Sequence, residues 1–266
     1  MSEFIIESAL LTHGLKSITN EQLKKIWDRS WTIAWLEEGR IIVGEMERFC
    51  EFRKRAAGYK RINYFNFDKL IDQGESGALT ASGTMRVCEE KGIPLVVTCG
   101  IGGLVRGQEV RQCNDLWALS QSSVSMVATT FKDMFDFYYT VQCAKMAGIS
   151  VCASLENIRS GYLFDRADRE DNEIEMSESK LCVYDKFPVR MILTGRTLYL
   201  NPIPIEKRIG DQGILETAVA YGKEQERSGK YFHPCVNAKI DELTKGRSSE
   251  IQLESLVENI RLAQKL

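Results

Sequence analysis

Proline is scarce in this chain, 5 of 266 residues, and histidine scarcer still at 2. No apolar run reaches the ~18–20 residues that a bilayer-spanning helix needs, and neither charge sign dominates: 35 Lys and Arg stand against 37 Asp and Glu, a net charge of −2. Each shortage excludes something. Two distant histidines cannot build a His-rich metal site. A near-neutral balance with pI about 5.9 lacks the Lys/Arg surplus that general nucleic-acid binding requires. The opening MSEFIIESALLTHG has no basic region before its apolar residues, so it does not read as a secretory signal. The 8 cysteines include no CxxC pair, which argues against structural zinc and for reduced thiols in a cytoplasmic protein. The expectation is therefore a chain with no nucleic-acid and no membrane partner.

What is present is a folding composition, 44% hydrophobic and 27% charged, far from that of a disordered chain. Strand-like segments are expected at Phe4–Leu11, Trp31–Trp35, Pro94–Thr98, Val124–Ala128, Ser150–Ala153, Val189–Leu193 and Thr197–Leu200. They alternate with helical spacing at Asn20–Arg29, Glu45–Ala57, Phe67–Gln73, Ala81–Lys91, Asp115–Ser120, Lys132–Ala147, Gly213–Ser228, Asn237–Thr244 and Ser249–Gln264. Gly92 ends one helix, and the run IPLVVT behind it suits a strand covered on both faces. Such alternation predicts a layered α/β domain. The charged stretch 165–180, DRADREDNEIEMSESK, is expected to be an exposed loop.

Three places invite chemistry. In VVTCGIGGLVRGQE a strand ends at Thr98 and Gly100, Gly102 and Gly103 follow; the loop either aims backbone N–H groups at an anion or makes a tight packing turn. Arg106 beside it suits phosphate. Lys132, after a buried-type strand, is either a surface residue in a first helical turn or a desolvated amine nucleophile. Glu7 interrupts an apolar strand, so its carboxylate is paired, terminal, or a proton-transfer group with raised pKa. His13 and His233 read as structural, and Thr80–Thr84 either caps a helix or touches a ligand.

Eight segments in order, IIESALLTHGL, TIAWLEEGRIIVG, GALTASGTM, GIPLVVTCGIGGLVRGQE, NDL, FKDMFD, LNPIP and YFHPCVNAKIDELTKG with a later EN, resemble the pseudouridine-5′-phosphate glycosidase, or indigoidine synthase A-like, family over nearly the whole chain. The resemblance implies a single three-layer α/β/α domain over residues 1–266 around a central mixed sheet, assembled as a homotrimer. It implies reversible cleavage of the C–C bond between uracil and ribose 5-phosphate through a lysine imine with the ring-opened sugar. Carried over, Lys132 matches the imine-forming lysine and Glu7 the proton donor. Asp115 matches a substrate-contacting acid, Ala81 a backbone contact and Thr98 a lining threonine. Cys113 and Asn114 replace a Ser-Ala pair. Arg61 replaces the phosphate-binding lysine, and Gln252 the asparagine that faces the base. Val105 stands where the family has histidine, and the aromatic-proline signature after the middle strand reads NIRSGYLFDR. The stretch from Glu109 to Asp115 is shortened and lacks the family's aspartate ligand for Mn²⁺. Arg111 lies there instead and is expected to supply the cation's charge without a metal. A kept Schiff-base core with an altered pocket is the expectation. A C-glycoside synthase or lyase of the same mechanism, or a non-catalytic sugar-phosphate binder, are the alternatives.

Overall fold

The computed structural model describes residues 3–154, 161–165, 182–184 and 195–266. Strands β1 (Phe4–Glu7), β2 (Ile33–Glu37), β3 (Arg40–Gly44), β4 (Lys60–Ile62), β5 (Gly77–Leu79), β6 (Leu95–Val97), β7 (Ser125–Ala128), β8 (Ser150–Ser154), β9 (Cys182–Tyr184) and β10 (Thr197–Leu200) form one sheet. Its order is β4-β5-β2-β1-β6-β7-β10-β8-β9, with β3 beside β2. Most pairs are parallel; β2 runs antiparallel to β3 and β5, which makes the sheet mixed.

The layers follow from the period of two along each strand. Phe4, Ile6, Leu95, Val97, Val127, Cys152 and Tyr199 belong to one core. Their neighbours Ile5, Val96, Met126, Ala128, Val151, Ala153, Leu198 and Leu200 belong to the other. Helices α1 (Asn20–Ile26), α2 (Met46–Arg55), α7 (Gln212–Arg227), α8 (Phe232–Leu243) and α9 (Arg247–Ala263) serve the first face. Helices α3 (Phe67–Asp72), α4 (Ala81–Lys91), α5 (Asn114–Gln121) and α6 (Phe137–Met146) serve the second. This is the expected α/β/α sandwich. Among the described residues no helix is long and apolar enough to cross a membrane.

Three local departures matter for the site. The strand expected to run to Leu11 stops at Glu7, and a π-helical turn takes over at Leu10–Gly14. Glu7 is therefore terminal. Lys132 does not open a helix: residues 132–136 form a turn, and α6 starts only after Asp136, whose Oδ1 caps the Tyr139 N–H at 3.0 Å. Helix α8 begins at Phe232, five residues before the expected start, because Pro234 falls in its first turn, where a missing N–H costs nothing. Strands β3, β4, β5 and β9 were absent from the sequence reading. The expected strand at Val189–Leu193 and, apart from Asp165, the charged stretch 165–180 lie outside the described residues.

Candidate active site

The register of the central strands builds the site. Ile6 pairs with Val97, so the next residues, Glu7 and Thr98, stand side by side at the carboxyl ends of β1 and β6. In open α/β sheets ligands bind at these ends. The Thr98 hydroxyl donates to Glu7 Oε2, and both side chains are buried. The chain beyond β6 is zipped to the chain beyond β7. Thr129 N donates to Cys99 O (3.1 Å), Ile101 N to Thr130 O (3.1 Å) and Lys132 N to Ile101 O (3.1 Å). This ladder fixes where Lys132 leaves the sheet. Asp133 locks the next turn, accepting the Tyr162 N–H at 2.6 Å and the Leu163 N–H at 2.8 Å.

The glycine loop is not an open anion cradle. Gly102 N donates to Asp115 Oδ2 at 3.1 Å, and Ser82 N, in the first turn of α4, donates to Asp115 Oδ1 at 3.3 Å. A carboxylate of the chain itself thus takes both donors. A Cβ on Gly102 would lie 2.9 Å from Cys113 Sγ, one on Gly100 2.5 Å from the Tyr162 ring, and one on Gly103 2.8 Å from Phe135. Close packing is what these glycines permit. Thr80 takes the capping role, its Oγ1 accepting the Gly83 N–H at 3.3 Å, and Ala81 follows buried in the first turn of α4.

The charges converge. Burial raises the Glu7 carboxyl above its ordinary 4.5; the Thr98 hydrogen bond opposes this, Asp115 adds to it, and Arg61 and Lys132 oppose it. Burial lowers the Lys132 amine below 10.5; Asp115 and Glu7 resist, while Arg61 assists. A carboxyl inclined to hold its proton thus faces an amine inclined to lose one, which is how acid and nucleophile roles are separated at one pH. Arg61, on β4, acts on both and on His13 and His233. Cys113 is buried, and its thiol is pushed up to about 12, so it is no nucleophile. All seven cysteines with described side chains are free thiols.

Glu7, Thr98, Asp115, Lys132, Arg61 and Cys113 thus form one cluster, with Ala81 beside it. Other expected residues lie outside this cluster, although Arg106 lines the same cavity as Lys132. Asn114 is exposed at the start of α5. The Arg106 side chain is 76% exposed, its Nε 3.1 Å from Asp136 Oδ2. Arg111 also lies outside the cluster: its Nε is 2.7 Å from Glu109 Oε2, and the side chain is 70% exposed. Gln252, 3% exposed, has both amide ends engaged, Oε1 accepting from Tyr162 Oη at 3.1 Å and Nε2 donating to Ser248 O at 3.2 Å. The donor set does not suit a manganese ion. Among the described residues no three or more His, Cys, Asp or Glu side chains are arranged to hold a metal ion: within the cluster both Asp115 oxygens accept backbone N–H groups, the Glu7 carboxyl is bonded to Thr98, and the Cys113 thiol keeps its proton.

Sequence reasoning read His233 as structural and did not anticipate that its imidazole, held well below 6.5 chiefly by burial, also feels the charges of Lys132 and Arg61. It also missed Asn259 of α9, whose Nδ2 donates to Thr98 O at 2.7 Å and Thr129 Oγ1 at 3.0 Å and ties β6 to β7. The EN that carries Asn259 was the only signal for it. A cavity of about 550 Å³ opens at Lys132, walled by Phe131, Phe135, Tyr138, Gly161 and the start of α7, with Arg106 and Asp136 among its lining residues.

Known proteins share this plan. Pseudouridine-5′-phosphate glycosidases from Dinoroseobacter shibae (28% identical, covering 97% of this chain and 88% of that protein) and Thermus thermophilus (28%, 97% and 94%) align with it. An indigoidine synthase A-like protein from Thermotoga maritima superposes with TM-score 0.72 at 23% identity, covering 98% of this chain and 90% of that one. The prealnumycin C-glycosynthase AlnA, solved with ribulose 5-phosphate, superposes with TM-score 0.71 at 21% identity, covering 98% and 89%. The family model described as indigoidine synthase A like protein matches residues 5–266, and the chain belongs to that family.

Proposed function

We propose that this protein is a C-nucleoside-5′-phosphate glycosidase, with pseudouridine 5′-phosphate as the default substrate. The observation that carries the reading is the pairing of a desolvated Lys132 amine with a desolvated Glu7 carboxyl at the carboxyl end of the sheet. Ordinary glycosidases set two carboxylates around a C–O bond and rely on a departing oxygen. A C–C bond offers no such oxygen, and an amine is the group that opens another route.

In the cleavage direction Lys132 attacks C1′, and the C1′–O4′ bond breaks as the sugar ring opens. Glu7 delivers its proton to the base carbon. The C–C bonding pair re-forms the double bond of the base, and the nitrogen lone pair closes to an iminium at C1′. Water hydrolyses that iminium to ribose 5-phosphate and restores the amine. Arg61 is the cation available for the phosphate. No step passes through a metal, and a homotrimer in the cytoplasm belongs to the same proposal.

Gln252 favours a second reading with the same mechanism and another base. In the resembled family an asparagine faces the base there, whereas here the amide is spent on Tyr162 and Ser248. Incubation with pseudouridine 5′-phosphate tests the first reading. Release of uracil and ribose 5-phosphate by the wild type, and none by Lys132→Ala, is expected. Release by both proteins would end the lysine mechanism, and release by neither would shift the assignment to a different base.

A further inference from the structure

The buried side of the last helix carries polar residues where a core-facing helix ordinarily carries apolar ones. Along α9, Leu256, Ile260 and Ala263 join the first core. Beside them Ser255 and Asn259, four residues apart on one face, are buried as well. Asn259 uses its whole amide. One N–H of Nδ2 goes to Thr98 O at 2.7 Å and the other to Thr129 Oγ1 at 3.0 Å, while Oδ1 accepts from Asn201 Nδ2 at 3.0 Å. Thr129 Oγ1 shares a further hydrogen bond with Ser255 Oγ, and the Cys99 thiol donates to Gln252 O at 3.1 Å.

The three residues gripped by Asn259 have one thing in common. Thr98, Thr129 and Asn201 are each the first residue beyond a strand, β6, β7 and β10, and those strands are neighbours in the sheet. The site departs from these positions. The Thr98 hydroxyl holds Glu7 while Asn259 holds the Thr98 carbonyl, and Lys132 lies three residues beyond Thr129. Buried polar groups cost free energy unless they are bonded, and a fully bonded network admits one arrangement of the groups it joins.

We propose that Asn259 is a positioning residue of the reaction, its amide locking the ends of β6 and β7 together so that Glu7 reaches the base carbon of a sugar bound to Lys132. The assignment rests on the glycosidase reading given above. Asn259 acts through Thr98 and Thr129. Lys132 has anchors of its own, its N–H on Ile101 O and the Asp133 carboxylate on the Tyr162 and Leu163 N–H groups. Imine formation therefore does not depend on the amide. Proton delivery does, because it needs the acid of one strand and the lysine of another in register, and a displacement of about 1 Å can cost about 10²-fold.

The test separates the two steps in the full-length protein. Timed borohydride trapping with ribose 5-phosphate, read by intact mass, follows the imine; steady-state release of uracil from pseudouridine 5′-phosphate follows the proton transfer. Asn259→Asp keeps the acceptor for Asn201 and loses both N–H donors, and Thr129→Val breaks the same tie from the strand side. Each is expected to lower kcat by about tenfold or more, with KM and the trapping rate unchanged. The double variant is expected to be no slower than the slower single one, as for two ends of one tie. Wild-type kcat in either folded variant overturns the positioning role. A loss of kcat matched by an equal loss of trapping, or losses that multiply in the double variant, also overturns it. No uracil from the wild type removes the glycosidase reading and the positioning role together.

Discussion

The Thr98 hydroxyl donates to the Glu7 carboxylate across the ends of two adjacent parallel strands, a meeting that the register Ile6 to Val97 sets. The bond favours the charged form of a group that burial drives toward neutrality. Thr98→Val keeps the shape and removes that bond. Glu7 should then hold its proton to higher pH, and the alkaline limb of the pH–rate profile should move upward. The unpartnered carboxyl oxygen should cost about 1–3 kcal/mol of stability in urea unfolding. An unmoved limb would assign it to another group.

Glu7→Gln removes the proton while keeping an acceptor for Thr98. Turnover should fall by about 10²–10⁴-fold, the usual contribution of a positioned acid, with the melting curve preserved. A loss under tenfold would take the proton transfer away from Glu7.

Asp115 holds the glycine loop to α4 and raises the affinity of Lys132 for its proton. Asp115→Asn should lower the pH at which borohydride trapping becomes half-maximal. It should also destabilise the fold by about 1–3 kcal/mol, because an amide accepts through one oxygen only. An upward shift of the trapping midpoint would contradict the arrangement.

His13 and His233 are both held below their ordinary 6.5, chiefly by burial. Between the folded value and 6.5 the unfolded chain binds more protons, so stability falls as pH drops through that window and levels off below it. The melting temperature should therefore fall from pH 6.5 to pH 5, and His233→Gln should flatten the decline. An unaltered slope would mean that His233 is solvated.

The central site was legible because its signals are local. A carboxylate within an apolar strand and a lysine after another mark Glu7 and Lys132, though a paired or surface role stayed open for each until the family resemblance assigned them. The sandwich was equally legible from strands such as Leu95–Val97, whose alternate residues feed opposite cores. β4 and β5 were not, since three residues carry no period; only their parallel pairing in the fold sets Arg61 opposite Ala78. The glycine loop invited an anion partner from outside; the partner is Asp115, thirteen residues beyond Gly102. His233 gave no signal beyond its own identity, because its burial depends on how α8 settles against Gly222 through Phe232 and Val236.

If the imine is the core of the chemistry, reduction must trap it. Borohydride added to the wild type with ribose 5-phosphate, followed by peptide mass mapping, should place a single reduced sugar phosphate on Lys132, with chelation of divalent ions making no difference. An adduct on another lysine, or none while ribose 5-phosphate is bound, would contradict the account.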